Sequence, residues 1–396
     1  MTVVARAGIR WRLMLPLASV SLVTGTVGAF VLPFLSLFLT NEIGVSSLEL
    51  GAFLLVSSVA GLVVSTLIGR LSDQRAVRRN LMVIGGLAGS VGYGLFAVLR
   101  EYWVLLVVSC TLVALSTSLI SQMFAYARQF AERQSVTRAP LIISSLRTIM
   151  SLSWVGGPPL AALLLQLGGY TGLYWTACGF FLAIALLSSR LRELGVPEAP
   201  TADDGPGAPK APRMVFAIVA FVLLQGSISL SVSAIPLYVT NDLHGAPEDA
   251  GIVLGVCAAL EIPLMLWFGV LAVKVDLNRL VMLGALVALA YQGVMLATDS
   301  TWQVAVAQLL NAIVISAIAG VGISYFQSLA PGRPGYATSW FTNTMTVGAM
   351  LSGPLLGLAK QVGYHYAYLM ALGMSTLGLG FLFVTRAVAK GRTSAG

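Results

Sequence analysis

The second half of the chain repeats the first at a spacing of 200 residues, and the repeat lies inside segments apolar enough to cross a bilayer. Thr40-Asn41-Glu42 recurs as Thr240-Asn241-Asp242, and Gly51, Leu54 and Val56 recur as Gly251, Leu254 and Val256. Gly69, Leu71 and Arg79 return as Gly269, Leu271 and Arg279. A unit duplicated within a membrane folds as two matched bundles. Two bundles that rock against each other around a shared path are the design of a secondary transporter.

Composition sets the solvent. Hydrophobic residues make up 57% of the 396 and charged residues 10%, against roughly 25% charged in an ordinary globular domain. A span needs about 20 mostly apolar residues. Twelve such stretches lie at roughly 13–39, 48–69, 80–99, 102–125, 140–167 and 171–189, then 213–239, 249–273, 278–298, 302–326, 337–360 and 363–386. The expected fold is an all-α integral membrane protein of twelve helices in two pseudo-symmetric six-helix bundles. Its parts are an N-terminal half at 1–190, a linker at 191–212, a C-terminal half at 213–388 and a tail at 389–396. The linker holds prolines at 197, 200, 206, 209 and 212 beside Asp203, Asp204, Gly205 and Gly207, a composition that solvates and buries no core. Arg6, Arg10 and Arg12 precede the first apolar stretch as in a secretory signal. That stretch is too long for one and lacks a small-residue cleavage pattern, so it is expected to stay as a helix.

The net charge of +8 does not mark a nucleic-acid binder, because of where the basic residues fall. Twenty of the 23 lie on one side of the spans, from Arg6 through Arg70, Arg75, Arg78 and Arg79 to Arg386, Lys390 and Arg392. Only Arg100 and Lys360 lie on the other, and Arg147 is within a span. By the positive-inside rule both termini and the linker are cytoplasmic, in a multi-pass protein of the cell membrane whose surroundings are lipid.

No cofactor is expected. Cys110, Cys178 and Cys257 fall on three different spans with no CxxC, and His244 and His365 lie in exterior loops, so no metal-ligand set forms. A phosphate-binding GxxxxGK[ST] loop is missing too. Energy must then come from an ion or substrate gradient. An enzyme of the membrane would need catalytic groups gathered near one interface, and none are found.

After the second span, Gly69-Arg70-Leu71-Ser72-Asp73-Gln74-Arg75-Ala76-Val77-Arg78-Arg79 resembles the major facilitator signature G-x-L-x-D-[RK]-x-G-[RK]-[RK]. Gly, Leu and Asp are kept, while Gln74, Ala76 and Val77 depart from it. Gly69 permits close helix approach, and a carboxylate at Asp73 needs a cationic or helix-terminal partner. With Arg78 and Arg79 these residues are read as a latch on the inward side, or else as determinants of topology and loop packing.

Two longer stretches narrow the resemblance. Gln122 through Tyr126 to Arg128 leads to Arg147, Ser151, Trp154, Gly157, Pro158 and Pro159, and the second half carries Glu261, Pro263, Gln308, Asn311, Tyr325, Gln327 and Asn343. These are similar to the sugar efflux transporter branch of the superfamily. What the resemblance implies is a twelve-helix, proton-linked exporter of small sugars, glycosides and related compounds. The alternative within the superfamily is a multidrug or other metabolite exporter. Drug antiporters usually carry an Arg in the fourth span, where this chain has Ser116, Thr117, Ser118 and Ser121, which disfavours that alternative.

Polar residues inside the spans supply the candidate pathway. Of fifteen acidic residues only Glu261 lies deep, roughly 18 Å from either end of its helix at 1.5 Å per residue. A carboxylate there takes up a proton or finds a cation, so Glu261 is the candidate for proton coupling, or else a structural group bonded to neighbouring helices. Arg147, the single base within a span, lies roughly 10 Å from the inner end and is its candidate partner, or snorkels to the surface. Sugars call for amides and aromatics that donate and accept. The chain offers Gln225, Gln308, Asn311, Asn343, Tyr126 and Tyr325, each of which serves equally well as glue between helices. Gln308 and Asn311, at i and i+3, share a face. Gly157-Pro158 and Gly353-Pro354 occupy matching places in the halves, where they allow bends or tight crossings. One chain carries the whole path, so a monomer is expected.

Overall fold

The computed structural model describes residues 11–134, 139–194, 212–330 and 334–393. Most of the linker lies outside these residues, while 389–393 of the tail continue the last helix. Among them the secondary structure is entirely helical. In the first half, α1 is Trp11–Leu37, continued by a π-helical turn at Phe38–Glu42. Helix α2 is Ser47–Gln74 and α3 is Arg78–Val98. Helix α4 runs through Tyr102–Val108, a π turn at Ser109–Val113, and Ala114–Gln134. The rod Ala139–Ser189 holds α5 and α6, joined at Gly169, whose φ of 60° breaks the helix. In the second half, α7 is Pro212–Leu237 with a π turn at Tyr238–Asp242, α8 is Pro247–Lys274 and α9 is Leu277–Leu296. Helix α10 runs through Thr301–Ile315, a π turn at Ser316–Gly320, and Val321–Leu329. Helices α11, Pro334–Val362, and α12, Tyr366–Thr393, complete the bundle.

Among the described residues, ten helices are long and apolar enough to span a membrane. One of them, Thr148–Ser189, has 42 residues, about 63 Å of helix, which is two hydrocarbon cores of about 30 Å. Divided at Gly169 and joined by Pro334–Val362, these make the twelve spans of a six-plus-six bundle.

The repeat is visible residue by residue. Helices α2 and α8 both have 28 residues and start 200 apart, and the π turns Phe38–Glu42 and Tyr238–Asp242 are offset by the same 200. Each π turn feeds a left-handed residue, Gly44 at φ 74° and His244 at φ 54°. Both following helices are started by a carboxylate three residues in. Glu49 Oε2 accepts from Ser46 N at 2.7 Å while Ser46 Oγ accepts from Glu49 N at 3.3 Å, and Asp249 Oδ2 accepts from Ala246 N at 2.9 Å. Such bonding, reciprocal in α2 and one-way in α8, satisfies amides that a helix start leaves open.

The two cores differ in chemistry. The first half is filled by rings, with Phe38 edge-on to Tyr174 at 4.8 Å and Tyr93 stacked on Phe181 at 5.1 Å. The second half ties α7, α9 and α12 together with a buried polar set. Gln292 Nε2 donates to Ser231 Oγ at 2.9 Å and to Ser227 Oγ at 3.2 Å, and Ser227 lies 2.8 Å from Ser375 Oγ. In lipid, where association gains little from apolar burial, such bonds hold helices in register.

The halves meet along two seams near the end that carries Asn41. Where α2 crosses α11, a Cβ added to Gly357 would lie 2.4 Å from Ser47 O, and one on Gly353 would lie 2.8 Å from Leu54 Cβ. Where α8 crosses α5, a Cβ on Gly251 would lie 2.6 Å from Ala162 Cβ and 2.7 Å from Pro158 O. Only residues without side chains let the backbones come this close. Hydrogen bonds join the halves at this end. Ser36 Oγ donates to Ser233 O at 3.1 Å, Asn41 and Asn241 bond to each other, and Lys360 Nζ donates to Val45 O.

Candidate functional site

Beyond the two seams, toward the end that carries Arg78, the facing helices exchange small residues for polar ones. Stepping along α11 from Gly357 and Gly353 by three and four residues leads to Met350, Thr346, Asn343 and Ser339 on the same face. Asn343 and Ser339 are exposed and Thr346 is partly exposed. The same walk along α2 from Gly51 and Leu54 passes Ser58 and Ser65, and along α5 from Ala162 and Pro158 it passes Ser151 and reaches the Arg147 and Thr148 turn. The hydroxyls of Ser58, Ser65 and Thr346 bond to carbonyls of their own helices at 2.7, 3.1 and 3.3 Å. These stripes are the candidate walls of a path between the halves.

Glu261 lies in α8, ten residues beyond the seam residue Gly251, where α8 meets α10. It is partly exposed, and its carboxylate makes no hydrogen bond or ion pair with a described residue. Its carbonyl accepts from Ser316 Oγ at 3.4 Å. Arg147 sits in α5, and its side chain is outside the described residues. Pairing of the two therefore stays a proposal.

The amide candidates divide. Asn343 belongs to the exposed stripe. Gln225, in the middle of α7, is 5% exposed, and its Nε2 has no hydrogen-bond partner among the described residues. It lies at the α7–α11 crossing, since a Cβ on Gly348 would be 3.0 Å from its carbonyl carbon. Gln308 and Asn311 do share a face, but that face looks into the second half. They are 0% and 1% exposed. Asn311 Nδ2 donates to Gln308 Oε1 at 2.9 Å and to Cys257 Sγ at 3.5 Å, and Gln308 Nε2 donates to Val304 O at 3.1 Å. Amides satisfied this way are helix glue in this conformation and offer no free face to a ligand. Tyr126 and Tyr325 are likewise buried, with hydroxyls donated to Arg192 O at 2.8 Å and Asn278 Oδ1 at 3.3 Å.

The gating candidates lie at two places. Arg78, 8% exposed, donates from Nη1 to Ala125 O at 3.1 Å and Gln129 Oε1 at 3.3 Å, both in α4. Arg79 pairs with Glu193 at 3.7 Å. Arg78 is thus bonded to α4 of its own half and Arg79 to the start of the linker. The close approach expected at Gly69 is not made among the described residues, where a Cβ added there meets nothing within 4 Å. Asp73 closes α2, and its side chain is outside the described residues. Pro158 does lie on a seam, through its carbonyl against Gly251, whereas Gly157 packs inside its own half, where a Cβ would lie 2.4 Å from Ala29 Cβ. The matching Gly353 packs across the seam instead.

Sequence reasoning did not assign Asn41 and Asn241. They exchange amide bonds, Asn41 Nδ2 to Asn241 Oδ1 at 3.1 Å and Asn241 Nδ2 to Asn41 Oδ1 at 3.3 Å. The signal was present in the duplicated Thr-Asn-acid triplet, since equivalent residues near a two-fold axis meet their own copies. Flanking charges brace the two π turns. Arg100 Nε donates to Glu42 Oε1 at 2.9 Å with its guanidinium 5.5 Å from the Phe38 ring centre, and Asp242 Oδ2 accepts from His365 N at 3.0 Å.

Comparison with known proteins gives concordant likenesses. The family model described as Major Facilitator Superfamily matches residues 17–297 and again 216–396. Sugar efflux transporter A of Dickeya chrysanthemi is 34% identical over 360 residues, spanning 90% of this chain and 91% of that protein. Sugar efflux transporter A of Escherichia coli K12 is 31% identical over 368 residues, spanning 92% and 93%. Among solved structures, the nucleoside transporter NupG superposes with a TM-score of 0.76 at 13% identity over 96% of this chain and 99% of that one. A bacterial homologue of the iron transporter ferroportin superposes with a TM-score of 0.70 at 19% identity, over 96% and 99%. At these identities the structures speak for the fold alone.

Proposed function

The chain belongs to the major facilitator superfamily, in its sugar efflux transporter branch, and from that premise we propose that it exports sugars or glycoside-like small molecules by alternating access, driven by protons. The observation that carries the reading is the contrast along the interface between the halves. Glycine seams and amide bonds close one end, while Ser339, Asn343, Thr346, Ser58, Ser65 and Ser151 line the facing helices beyond them. The stripes are rich in hydroxyls and an amide, which suits a neutral, hydroxylated ligand better than a lipophilic cation.

With the basic loops inside, the Asn41 end faces outward and the polar stripes open to the cytoplasm of a cell-membrane protein. Substrate enters from the cytoplasm, and rocking of the halves exposes it outside. Asn343 and Gln225 bind hydroxyls, the buried Gln308, Asn311, Tyr126 and Tyr325 hold the helices that carry the site, and Glu261 exchanges the coupling proton with Arg147 as its alternative partner. The latch residues Asp73, Arg78 and Arg79 re-engage when the inward side closes. A panel of sugars, glycosides and lipophilic cations offered to inverted vesicles with an acid interior tests this. Accumulation of sugars or glycosides supports it, and accumulation of cations alone favours the multidrug alternative.

A further inference from the structure

Position 261 has a counterpart at position 61, and the two are built differently. In the first half that counterpart is Gly61, and α4 lies against it. Thr117 Oγ1 approaches Gly61 O at 3.4 Å, and a Cβ on Gly61 would meet Thr117 Oγ1 at 3.3 Å and Cγ2 at 3.5 Å. In the second half the matching bond is Ser316 Oγ to Glu261 O, also at 3.4 Å. The same hydroxyl-to-carbonyl contact is kept, yet a residue with a long side chain stands where the other half barely admits a methyl group.

The helices that face the two positions, α4 and α10, differ at this contact. Each of α4 and α10 contains one π turn, so their ends keep a common register: Trp103 matches Trp302 and Tyr126 matches Tyr325, both 199 residues apart. The turns sit at different heights. In α4 it is Ser109–Val113, before the Thr117 contact, and the helix is α where it meets Gly61. In α10 it is Ser316–Gly320 and begins at the contact residue itself. Its far end, Gly320, lies against Met265, one turn beyond Glu261, where an added Cβ would be 3.4 Å from Met265 Cγ. A π turn carries one residue more than an α turn and widens the helix locally.

We propose that the π turn Ser316–Gly320 is the seat of Glu261, a widening of α10 that a long side chain at position 261 requires, with Ser316 as the positioning residue that fixes the α8 backbone beneath the carboxyl group. The seat stands on the comparison of the two halves. Its bearing on transport rests on the coupling role proposed above for Glu261.

Two measurements test it. Deleting Ala319 removes one residue and returns the turn to α geometry without rotating the flanking helix. The melting temperature of the purified full chain should fall further on this deletion in the wild type and in Glu261→Gln, which keeps the length of the side chain, than in Glu261→Gly. Folding in the Glu261→Gly background alone is the same result in its extreme form. An equal fall in all three, or failure to fold in all three, overturns the seat. The second measurement is the pH profile of transport. Ser316→Ala should shift it, and Ser316→Thr, which installs the hydroxyl used at Thr117, should restore it. An unshifted profile in Ser316→Ala overturns the positioning role, whatever the outcome of the melting experiment.

Discussion

Asn41 and Asn241, 200 residues apart in sequence, each donate a side-chain amide to the other at 3.1 and 3.3 Å. They are the same residue of the repeated unit, brought face to face where α1 and α7 end in their π turns. Asn suits this place because one side chain both donates and accepts, so a pair related by two-fold symmetry satisfies itself. Opening this end of the protein must break both bonds.

Loss of the pair should favour the state open at the Asn41 end. Water reaches these bonds, which puts them at the low end of the range for amide pairs, about 0.5 kcal/mol each. A total of about 1 kcal/mol is about a fivefold shift in the equilibrium between states. Asn41→Ala should then raise labelling of Ser36→Cys by an impermeant maleimide by about that factor. A disulfide between Asn41→Cys and Asn241→Cys should stop transport until it is reduced. Unchanged labelling, or transport through the crosslinked protein, would show that the pair does not hold the end shut.

The amides of α10 and α11 should part company on mutation. Asn343 stands exposed on the facing stripe, so Asn343→Ala should raise the apparent KM about 2- to 12-fold for one lost hydrogen bond of about 0.5–1.5 kcal/mol. Gln308→Ala and Asn311→Ala should instead lower the melting temperature and leave KM near its wild-type value. The opposite pattern would place the substrate against α10.

The buried set around Gln292 should be the most sensitive point of the second half. Gln292→Leu removes two hydrogen bonds, to Ser227 and Ser231, each worth about 0.5–1.5 kcal/mol, while Ser231 Oγ keeps its bond to Ser227 O. Ser375 keeps a bond to Ser227 and softens the loss. A melting temperature within error of wild type would contradict the role of this network.

How much of this could be read in the sequence depended on distance along the chain. Spans, their number and the six-plus-six division follow from runs of apolar residues, and the capping of α2 is written in Ser46 and Glu49. The π turns left no mark, because one added residue disturbs a 3.6 period too little to separate from ordinary irregularity in an all-apolar helix. The spacing of Gln308 and Asn311 fixed that they share a face but not which neighbour that face meets. Here it meets Cys257 of α8. Gly157 and Gly353 look equivalent as letters, yet one packs within a half and the other across the seam. Asn41 meeting Asn241 needed both halves in place.

If Glu261 couples export to protons, its neutral mimic must uncouple the two. In proteoliposomes holding the purified protein inside out, with an acid interior, the wild type should accumulate a transported sugar, and an uncoupler should release it. Glu261→Gln, with the shape of the protonated side chain and no proton to give, should exchange labelled for unlabelled sugar at a rate near wild type while failing to accumulate it. Accumulation by Glu261→Gln with the wild-type response to the pH gradient would contradict the account.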